Sequence, residues 1–133
     1  MKKALKIGLL VIIILVAVGG ISFYLKLDNV KEAAEAVEIN NIDLSDINDG
    51  EYIGKYTLNE MSKVKLKVVV EDNKITGIDI IEHSHGPGKS GHEINDRIIE
   101  KQGLDVDYVS GATISSKIIL KAVENALNGE GEI

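Results

Sequence analysis

Residues 63–82, KVKLKVVVEDNKITGIDIIE, decide the fold of this 133-residue chain. Valine and leucine alternate with lysine in the first half, which is the period of a strand with one buried and one solvated face. The turn Asp72-Asn73-Lys74 then leads into a second apolar run from Ile75 to Glu82. The first strand places on its apolar face Val64, Leu66, Val68 and Val70, and on its polar face Lys63, Lys65, Lys67 and Glu71. The stretch therefore predicts an antiparallel hairpin or meander.

The segment before the hairpin predicts one more strand. Asp49-Gly50 is a turn signal, and after it every second residue is apolar, aromatic or glycine. These alternating positions are Tyr52, Gly54, Tyr56 and Leu58. A third strand beside the hairpin would complete a small antiparallel sheet.

The segment after the hairpin predicts two helices. Ser90 and Glu93 have the spacing of a capping box, and the helix that they would begin ends at Gly103. After a turn region at 104–111, a second helix is expected from Thr113 to Leu127. Their apolar stripes consist of Ile94, Ile98 and Ile99 in the first and Ile114, Ile118, Ile119, Ala122, Val123, Ala126 and Leu127 in the second. The predicted class is α+β, a small antiparallel sheet packed with two or three helices and preceded by one transmembrane helix.

The N-terminus has the composition of a membrane span. The uncharged run from Ile7 to Leu25 is long enough to cross a hydrocarbon layer as a helix. Lys2, Lys3 and Lys6 precede it, and lysines collect on the cytoplasmic side, so we expect a single-pass protein of the cell membrane with a cytoplasmic N-terminus and an extracytoplasmic domain. A cleaved signal peptide is the alternative, because Ala17-Val18-Gly19 has the small-x-small pattern of a cleavage site. No cysteine follows the span, which excludes a lipoprotein anchor.

Composition divides the chain and excludes several classes of function. We expect a cytoplasmic N-terminus at 1–6, a transmembrane helix at 7–25, an extracytoplasmic linker at 26–48, a functional domain at 49–128 and a tail at 129–133. All 21 acidic residues follow Lys26, whereas several of the 15 basic residues precede it. This acidic exported part disfavours nucleic acid as a partner. The absence of cysteine excludes disulfides, thiol chemistry and cysteine-ligated metal sites.

The most informative stretch is residues 107–116, DYVSGATISS, which crosses from a turn into the second predicted helix. A helix N-terminus exposes unpaired N–H groups and the positive end of the helix dipole, so it suits a phosphate. Gly111 and Ala112 remove side-chain bulk, and Thr113, Ser115 and Ser116 add hydroxyls. The same residues are also ordinary helix caps. The pattern alone therefore leaves both a phosphate site and a simple cap open.

The run Asp-x-x-Ser-Gly-Ala-Thr, Asp107 to Thr113, resembles the flavinylation motif of the FMN-binding domain family. This family occurs in the peripheral flavoprotein subunits of sodium-pumping NADH:quinone oxidoreductase and of the Rnf complex. The resemblance extends from Asp49 to Leu127 and includes the lysine-rich strand, the Asn73-Lys74-Ile75 hairpin and the loop with Glu82-His83 and Pro87-Gly88.

The resemblance assigns roles to the residues of the motif. It implies that a flavin transferase joins the phosphate of FMN to the hydroxyl of Thr113. Asp107, Ser110, Gly111 and Ala112 would form the sequence that the transferase recognises, and the later hydroxyls match Ser115 and Ser116. Covalent attachment makes physical sense outside the membrane, where a flavin that dissociated would be lost by dilution. The tyrosines Tyr52, Tyr56 and Tyr108 are expected either to stack on the flavin or to pack in the core.

The loop from His83 to Ser90, HSHGPGKS, imitates two other motifs. Its Gly-Lys-Ser end resembles a P-loop, but His83 occupies the position that requires glycine. His83, His85 and His92 suggest a metal, but we expect the first two to point to opposite sides of an extended chain and predict no metal site. A solvent-exposed or structural role for the histidines also stays open. By resemblance the loop lies near the flavin, which makes the candidate flavin-loop residues His83, His85, Gly86, Gly88 and Lys89.

Together these features predict a membrane-anchored electron carrier rather than a self-contained enzyme. Its covalent FMN would relay electrons between a redox donor and an acceptor protein at the membrane, after a flavin transferase has attached it. One alternative is a flavin-dependent reductase of a small acceptor. The other is a non-redox membrane-anchored binding module in which the motif is only a helix cap.

Overall fold

The computed structural model describes residues 1–86 and 88–130 and divides the chain into two compact units, Met1–Glu32 and Ala33–Ile133. Pro87 of the predicted loop and residues 131–133 of the predicted tail lie outside the described residues. In chain order the elements are α1 (Lys2–Glu35), β1 (Gly50–Asn59), β2 (Ser62–Glu71), β3 (Lys74–His85), α2 (Ile94–Lys101) and α3 (Thr113–Leu127). This architecture confirms the predicted α+β class.

The first unit consists of most of α1. Its large apolar side chains are exposed from Leu5 to Leu25, and the helix is long and apolar enough to cross a membrane. A signal sequence would meet the same criterion. At 34 residues the helix is about 50 Å long, so it extends well beyond the predicted span at 7–25.

The second unit is built on a three-stranded antiparallel sheet of order β1-β2-β3. The β2–β3 hairpin turns through Asp72 and Asn73, with φ angles of 51° and 60°. Two consecutive residues with positive φ are typical of a type I′ turn, whose twist matches that of the strands. In β2 the valine and leucine face is buried, as the alternation predicts: Val64, Leu66, Val68 and Val70.

Helix α3 covers the buried face of the sheet and lies unusually close to β1 at Gly54. A Cβ built on Gly54 would overlap the carbonyl oxygen of Ala122 and lie 2.7 Å from the Cβ of Ala126. The strand therefore accepts only glycine here if the helix is to keep its position. This contact carries Ala122, Val123 and Ala126 of α3 into the core.

The predicted capping box of α2 is wrong. Glu93 is the residue before the first helical residue, it has helical φ and ψ angles, and its side chain makes no capping hydrogen bond. The chain instead turns at Gly91, and the carbonyl oxygens of Gly91 and His92 accept from the N–H groups of Ile94 and Asn95. Backbone carbonyls, rather than a serine side chain, thus accept from the first N–H groups of the helix.

Gln102 ends α2 and joins it to β3. It follows the last helical residue, Lys101, and has a left-handed conformation with φ 55°, so the helix ends two residues before Gly103, where the sequence suggested its end. Its side-chain amide accepts from the Ile75 N–H at 2.7 Å and donates to the Ile75 carbonyl at 2.8 Å. Both hydrogen-bonding groups of a residue near the start of β3 are therefore held by the end of α2.

Residues 39–47, which the sequence suggested to be part of a polar linker, belong to the second unit and pack against its core. Their apolar side chains contact the core, namely Ile39, Ile42, Leu44 and Ile47. The N–H and the side-chain amide of Asn40 donate to the Glu124 carboxylate at 3.1 and 3.2 Å, and the side-chain oxygen of Asn41 accepts from the Leu104 N–H at 3.1 Å. The isoleucine spacing here follows neither a helix nor a strand period, which is why the sequence pattern did not indicate burial.

Candidate functional site

In the segment 107–116, one set of residues is buried in the protein and another set is exposed to solvent. The buried set is Val109, Ala112, Ser115 and Ser116. The exposed set is Asp107, Tyr108, Ser110, Gly111 and Thr113. The residues expected to be read or modified by another protein therefore lie on the surface, apart from Ala112, which is 4% exposed.

Thr113 is the first residue of α3, as predicted, and does not act as its cap. Ala112 occupies the capping position, and no side chain caps the helix there. Within the described residues the Thr113 hydroxyl has no hydrogen-bond partner. Its neighbours in the first turn of α3 are N–H groups without intrahelical partners, at the positive end of the helix dipole. An exposed nucleophile thus lies beside a site that favours a phosphate.

Ser115 and Ser116 have their hydroxyls committed to the protein itself. Ser116 is 0% exposed, and its Oγ accepts from the Val109 N–H at 3.0 Å. Ser115 is 3% exposed, and its Oγ donates to the Lys89 carbonyl at 3.1 Å. The structure therefore gives both serines a role in holding the site, whereas the sequence suggested hydroxyls that face the cofactor.

The predicted flavin loop adjoins the motif through its second half. The N–H of Lys89 donates to the Gly111 carbonyl at 3.5 Å, and a Cβ on Gly91 would lie 3.1 Å from the Cβ of Ala112. The aliphatic part of the Lys89 side chain lies over Gly111, since a Cβ on that glycine would meet Lys89 Cδ at 3.6 Å. Gly111 also has a φ of 75°, which disfavours any side chain. The positive φ, rather than a lack of space beside Lys89, is therefore what favours glycine at 111.

Gly88 and Gly86 have different neighbours. A Cβ on Gly88 would lie 3.6 Å from the Gly111 carbonyl oxygen, so this residue adjoins the motif. A Cβ on Gly86 would instead lie 3.7 Å from the Met61 carbonyl oxygen, in the turn between β1 and β2. Only part of the predicted loop is therefore brought to the motif within the described residues.

The three histidines form a cluster, which corrects two expectations. His83 and His85 lie on β3 rather than in a loop, and as residues two apart on a strand they share a face. His83 Nδ1 lies 2.8 Å from His92 Nε2, and the ring centroids of His83 and His85 are 5.3 Å apart. The buried ring nitrogens His83 Nε2 and His85 Nδ1 have no protein partner among the described residues.

The environment of the cluster keeps His83 neutral. Burial, followed by repulsion from His92 and His85, lowers the pKa of His83 to about 4. One of the two nitrogens that face each other between His83 and His92 must carry the hydrogen and the other must accept it. Among the described residues, no group of three or more His, Cys, Asp or Glu side chains is arranged to hold a metal ion.

The tyrosines are distributed around the sheet and the motif. The Tyr52 hydroxyl donates to the Asn48 carbonyl at 2.7 Å, and both Tyr52 and Tyr56 pack partly buried against the core. Tyr108 is 42% exposed, with Lys117 Nζ 5.8 Å from its ring centroid. Of the three tyrosines, Tyr108 is the one that belongs to the motif segment.

Arg97 is a contact of the motif that the sequence did not reveal. From α2, its Nη1 donates to the carbonyls of Asp107 at 2.8 Å and Tyr108 at 3.0 Å. Arg97 is the single arginine of the sequence, and this was the one feature by which the sequence could have drawn attention to it. The carboxylate of Asp107 has no partner among the described residues.

Residues 61–128 match the family model of the FMN-binding domain. A urocanate reductase from Eggerthella lenta is 35% identical over 72 residues, which are 52% of this chain and 12% of that protein. An NADH:acrylate oxidoreductase from Vibrio harveyi is 32% identical over 111 residues, which are 77% of this chain and 11% of that protein. The chain therefore matches only a small part of each of these two longer relatives. The matched range contains β2, β3, both short helices and the whole segment 107–116.

Proposed function

The chain belongs to the FMN-binding domain family, and we propose that it is a membrane-anchored electron carrier with FMN attached covalently to Thr113. The observation that carries this proposal is the Thr113 hydroxyl, which is exposed, unpartnered within the described residues and located at the first turn of α3. A helix cap would need that oxygen to accept a backbone hydrogen bond, and Ala112 occupies the capping position instead.

Attachment would make Thr113 a substrate of a flavin transferase. The Thr113 Oγ1 forms a bond to the phosphorus of the FMN half of flavin adenine dinucleotide, and the bond between that phosphorus and the bridging oxygen breaks. AMP leaves with the bridging oxygen, and the hydroxyl proton is released. The product is a phosphodiester with one negative charge.

The residues around Thr113 fit such a group. The first-turn N–H groups and the dipole of α3 stabilise a negative charge at this point. The ammonium group of Lys89 has no ion-pair partner among the described residues, and the Cδ and Cε atoms of its side chain lie beside Gly111, two residues before Thr113. FMN supplies one- and two-electron redox chemistry when bound, and the chain supplies attachment, orientation and positive potential.

We further propose that the domain works outside the membrane, with α1 as its anchor. The three lysines before the apolar run favour a cytoplasmic N-terminus. The acidic domain would favour basic donor and acceptor proteins, and the rate of association should fall as salt is added. Protease added to right-side-out vesicles should digest the domain, and complete protection would overturn this orientation.

The attachment is tested by intact mass and in-gel flavin fluorescence of the full chain expressed with and without a flavin transferase. We expect a mass increase of one FMN less one water only with the transferase. Thr113→Ala should abolish the increase and leave the melting temperature nearly unchanged, because the side chain is exposed and unpartnered. Thr57→Ala, which removes an exposed threonine from β1, is the matched control and should be labelled normally. Labelling of Thr113→Ala at the normal level would overturn the proposal.

A reductase role is the second candidate, because both relatives are named as enzymes that act on small unsaturated acids. In that case the reduced, flavinylated chain would transfer electrons directly to a small acceptor. Reoxidation by urocanate or acrylate in the absence of any protein partner would favour this function over the carrier. Reoxidation only by a partner protein would favour the carrier.

A further inference from the structure

Arg97 holds the main chain at the start of the motif. Its Nη1 donates to two consecutive carbonyls, at 2.8 Å to Asp107 and 3.0 Å to Tyr108. Hydrogen bonds from a guanidinium are charge-assisted and stronger than those between neutral groups. Among the described residues Arg97 has no carboxylate partner, so its interactions are made with this main-chain segment.

The segment is held from a second side by α3. Val109 is buried, its N–H donates to Ser116 Oγ at 3.0 Å, and its carbonyl accepts from the Ala112 N–H at 2.9 Å. Three successive residues, 107 to 109, therefore have their backbone groups bonded to α2 on one side and to the start of α3 on the other.

Arg97 bonds to main-chain carbonyls and not to the Asp107 carboxylate, so that carboxylate stays available to another protein. An arginine beside an aspartate would ordinarily pair with the carboxylate. Here Arg97 takes the carbonyl of Asp107, and the carboxylate is exposed without a partner among the described residues. Asp107 and Thr113, the two ends of the motif, are both exposed while the backbone that leads from Asp107 towards Thr113 is held in place.

We propose that Arg97 is a positioning residue for flavinylation, which fixes the Asp107–Tyr108 backbone so that a transferase meets the Asp107 carboxylate and the Thr113 hydroxyl in one arrangement. This inference rests on the proposed attachment of FMN to Thr113. Arg97 lies on α2, outside the motif. The structure that the transferase recognises would therefore depend on a residue beyond the seven of the motif.

The test is the rate at which the purified full chain, in detergent, is labelled by a flavin transferase supplied with flavin adenine dinucleotide. Arg97→Gln should lower kcat/KM for labelling about tenfold or more, since a misplacement of about 1 Å near a reacting group can reduce a rate about a hundredfold. Arg97→Lys retains a charged donor and should fall between. Lys101→Gln, which changes an exposed cation one turn further along α2, is the matched control and should be labelled at the normal rate.

Two measurements separate positioning from a general loss of structure. The melting temperature of Arg97→Gln should stay close to that of the unmodified sequence while kcat/KM falls. If Arg97→Gln does not fold, Arg97→Met, which keeps the apolar stem, is measured in its place. Normal labelling of either folded variant would overturn the role of Arg97 while leaving the attachment to Thr113 intact. A complete lack of labelling of the unmodified chain would instead overturn the proposed function.

Discussion

The two halves of α3 differ in what surrounds them. The C-terminal half, with Ala122 and Ala126, is buried against β1 at a distance that only Gly54 allows. The first turn carries the exposed Thr113, and it is held by hydrogen bonds to loops rather than by apolar packing. The C-terminal half of the helix is therefore fixed by packing, and its first turn exposes a hydroxyl that can react. Such a combination gives a precise position to a residue that another protein must reach.

Adding a side chain between α3 and β1 should cause the largest loss of stability. Gly54→Ala places a methyl group where the Ala122 carbonyl oxygen lies, so the helix must move or the strand must bend. Overpacking costs about 1–3 kcal/mol and occasionally more, and overlap with the helix backbone places this variant at or above the upper end. Urea unfolding followed by circular dichroism measures the loss.

Gly77→Ala is the matched control for that variant. It lies on β3, and its Cβ would meet only Val69 Cγ2 and Cβ, at 3.7 and 3.8 Å, which are ordinary contacts. A stability close to that of the unmodified chain is expected. Equal losses for the two variants would show that the Gly54 contact is not what holds α3 against the sheet.

The second comparison concerns two hydroxyls, one in the first turn of α3 and one just before it. Ser116→Ala removes the buried acceptor of the Val109 N–H, and a buried unsatisfied donor costs about 1–3 kcal/mol. Ser110→Ala removes an exposed hydroxyl and should change stability by no more than about 0.5 kcal/mol. The free energies of unfolding of the two variants test the division. A larger loss for Ser110→Ala than for Ser116→Ala would contradict it.

The histidine cluster should make stability depend on pH in a limited window. The folded pKa of His83 is about 4, below its ordinary 6.5, so between these values the unfolded chain holds a proton that the folded chain lacks. Unfolding then takes up a proton, and stability should fall as pH falls from about 6.5 to about 4. Above about 6.5 both states are neutral, and this contribution vanishes.

His83→Gln tests the pH dependence, because glutamine keeps hydrogen-bonding atoms and does not titrate. The melting temperature of the variant should fall less between pH 7 and pH 5 than that of the unmodified chain. His85→Gln, two residues along on the same face of β3, offers a comparison. An unchanged pH dependence in His83→Gln would show that other groups cause the acid sensitivity.

The sequence predicted the parts of the fold whose pattern is local. The alternation in 63–71 gave the buried face of β2, and the helical stripe from Thr113 to Leu127 gave α3 with the bounds observed. The extension of β3 to His85 was missed, because histidine and serine lack strand propensity and glycine follows directly. The capping box at Ser90 failed for a related reason, since a motif of four residues does not reveal that Gly91 turns the chain first.

For the site, the sequence identified the motif and its threonine, because those depend on residue identity alone. It did not show that Thr113 and Ser110 are exposed whereas Ser115 and Ser116 are buried, since all four are hydroxyl residues within one short stretch. The Ser116 hydroxyl accepts from Val109 within the same segment, whereas the Ser115 hydroxyl donates to Lys89, which lies 26 positions away. Residues 39–47 were missed because their contacts are also distant in sequence: the hydrogen-bond partners of Asn40 and Asn41 lie 84 and 63 positions away.

By itself, then, the sequence determined the apolar N-terminal helix, the β2–β3 hairpin, the α+β class and the FMN-binding family, since each rests on periodicity or on residues adjacent in the chain. Only the tertiary structure decided that Gly54 receives α3, that the three histidines meet and that Arg97 holds the carbonyls of the motif. The physical reason is that burial and hydrogen-bond partnership arise between elements distant in sequence. The sequence gives the chemical identity of each group. It does not show which neighbours bury that group or form hydrogen bonds with it.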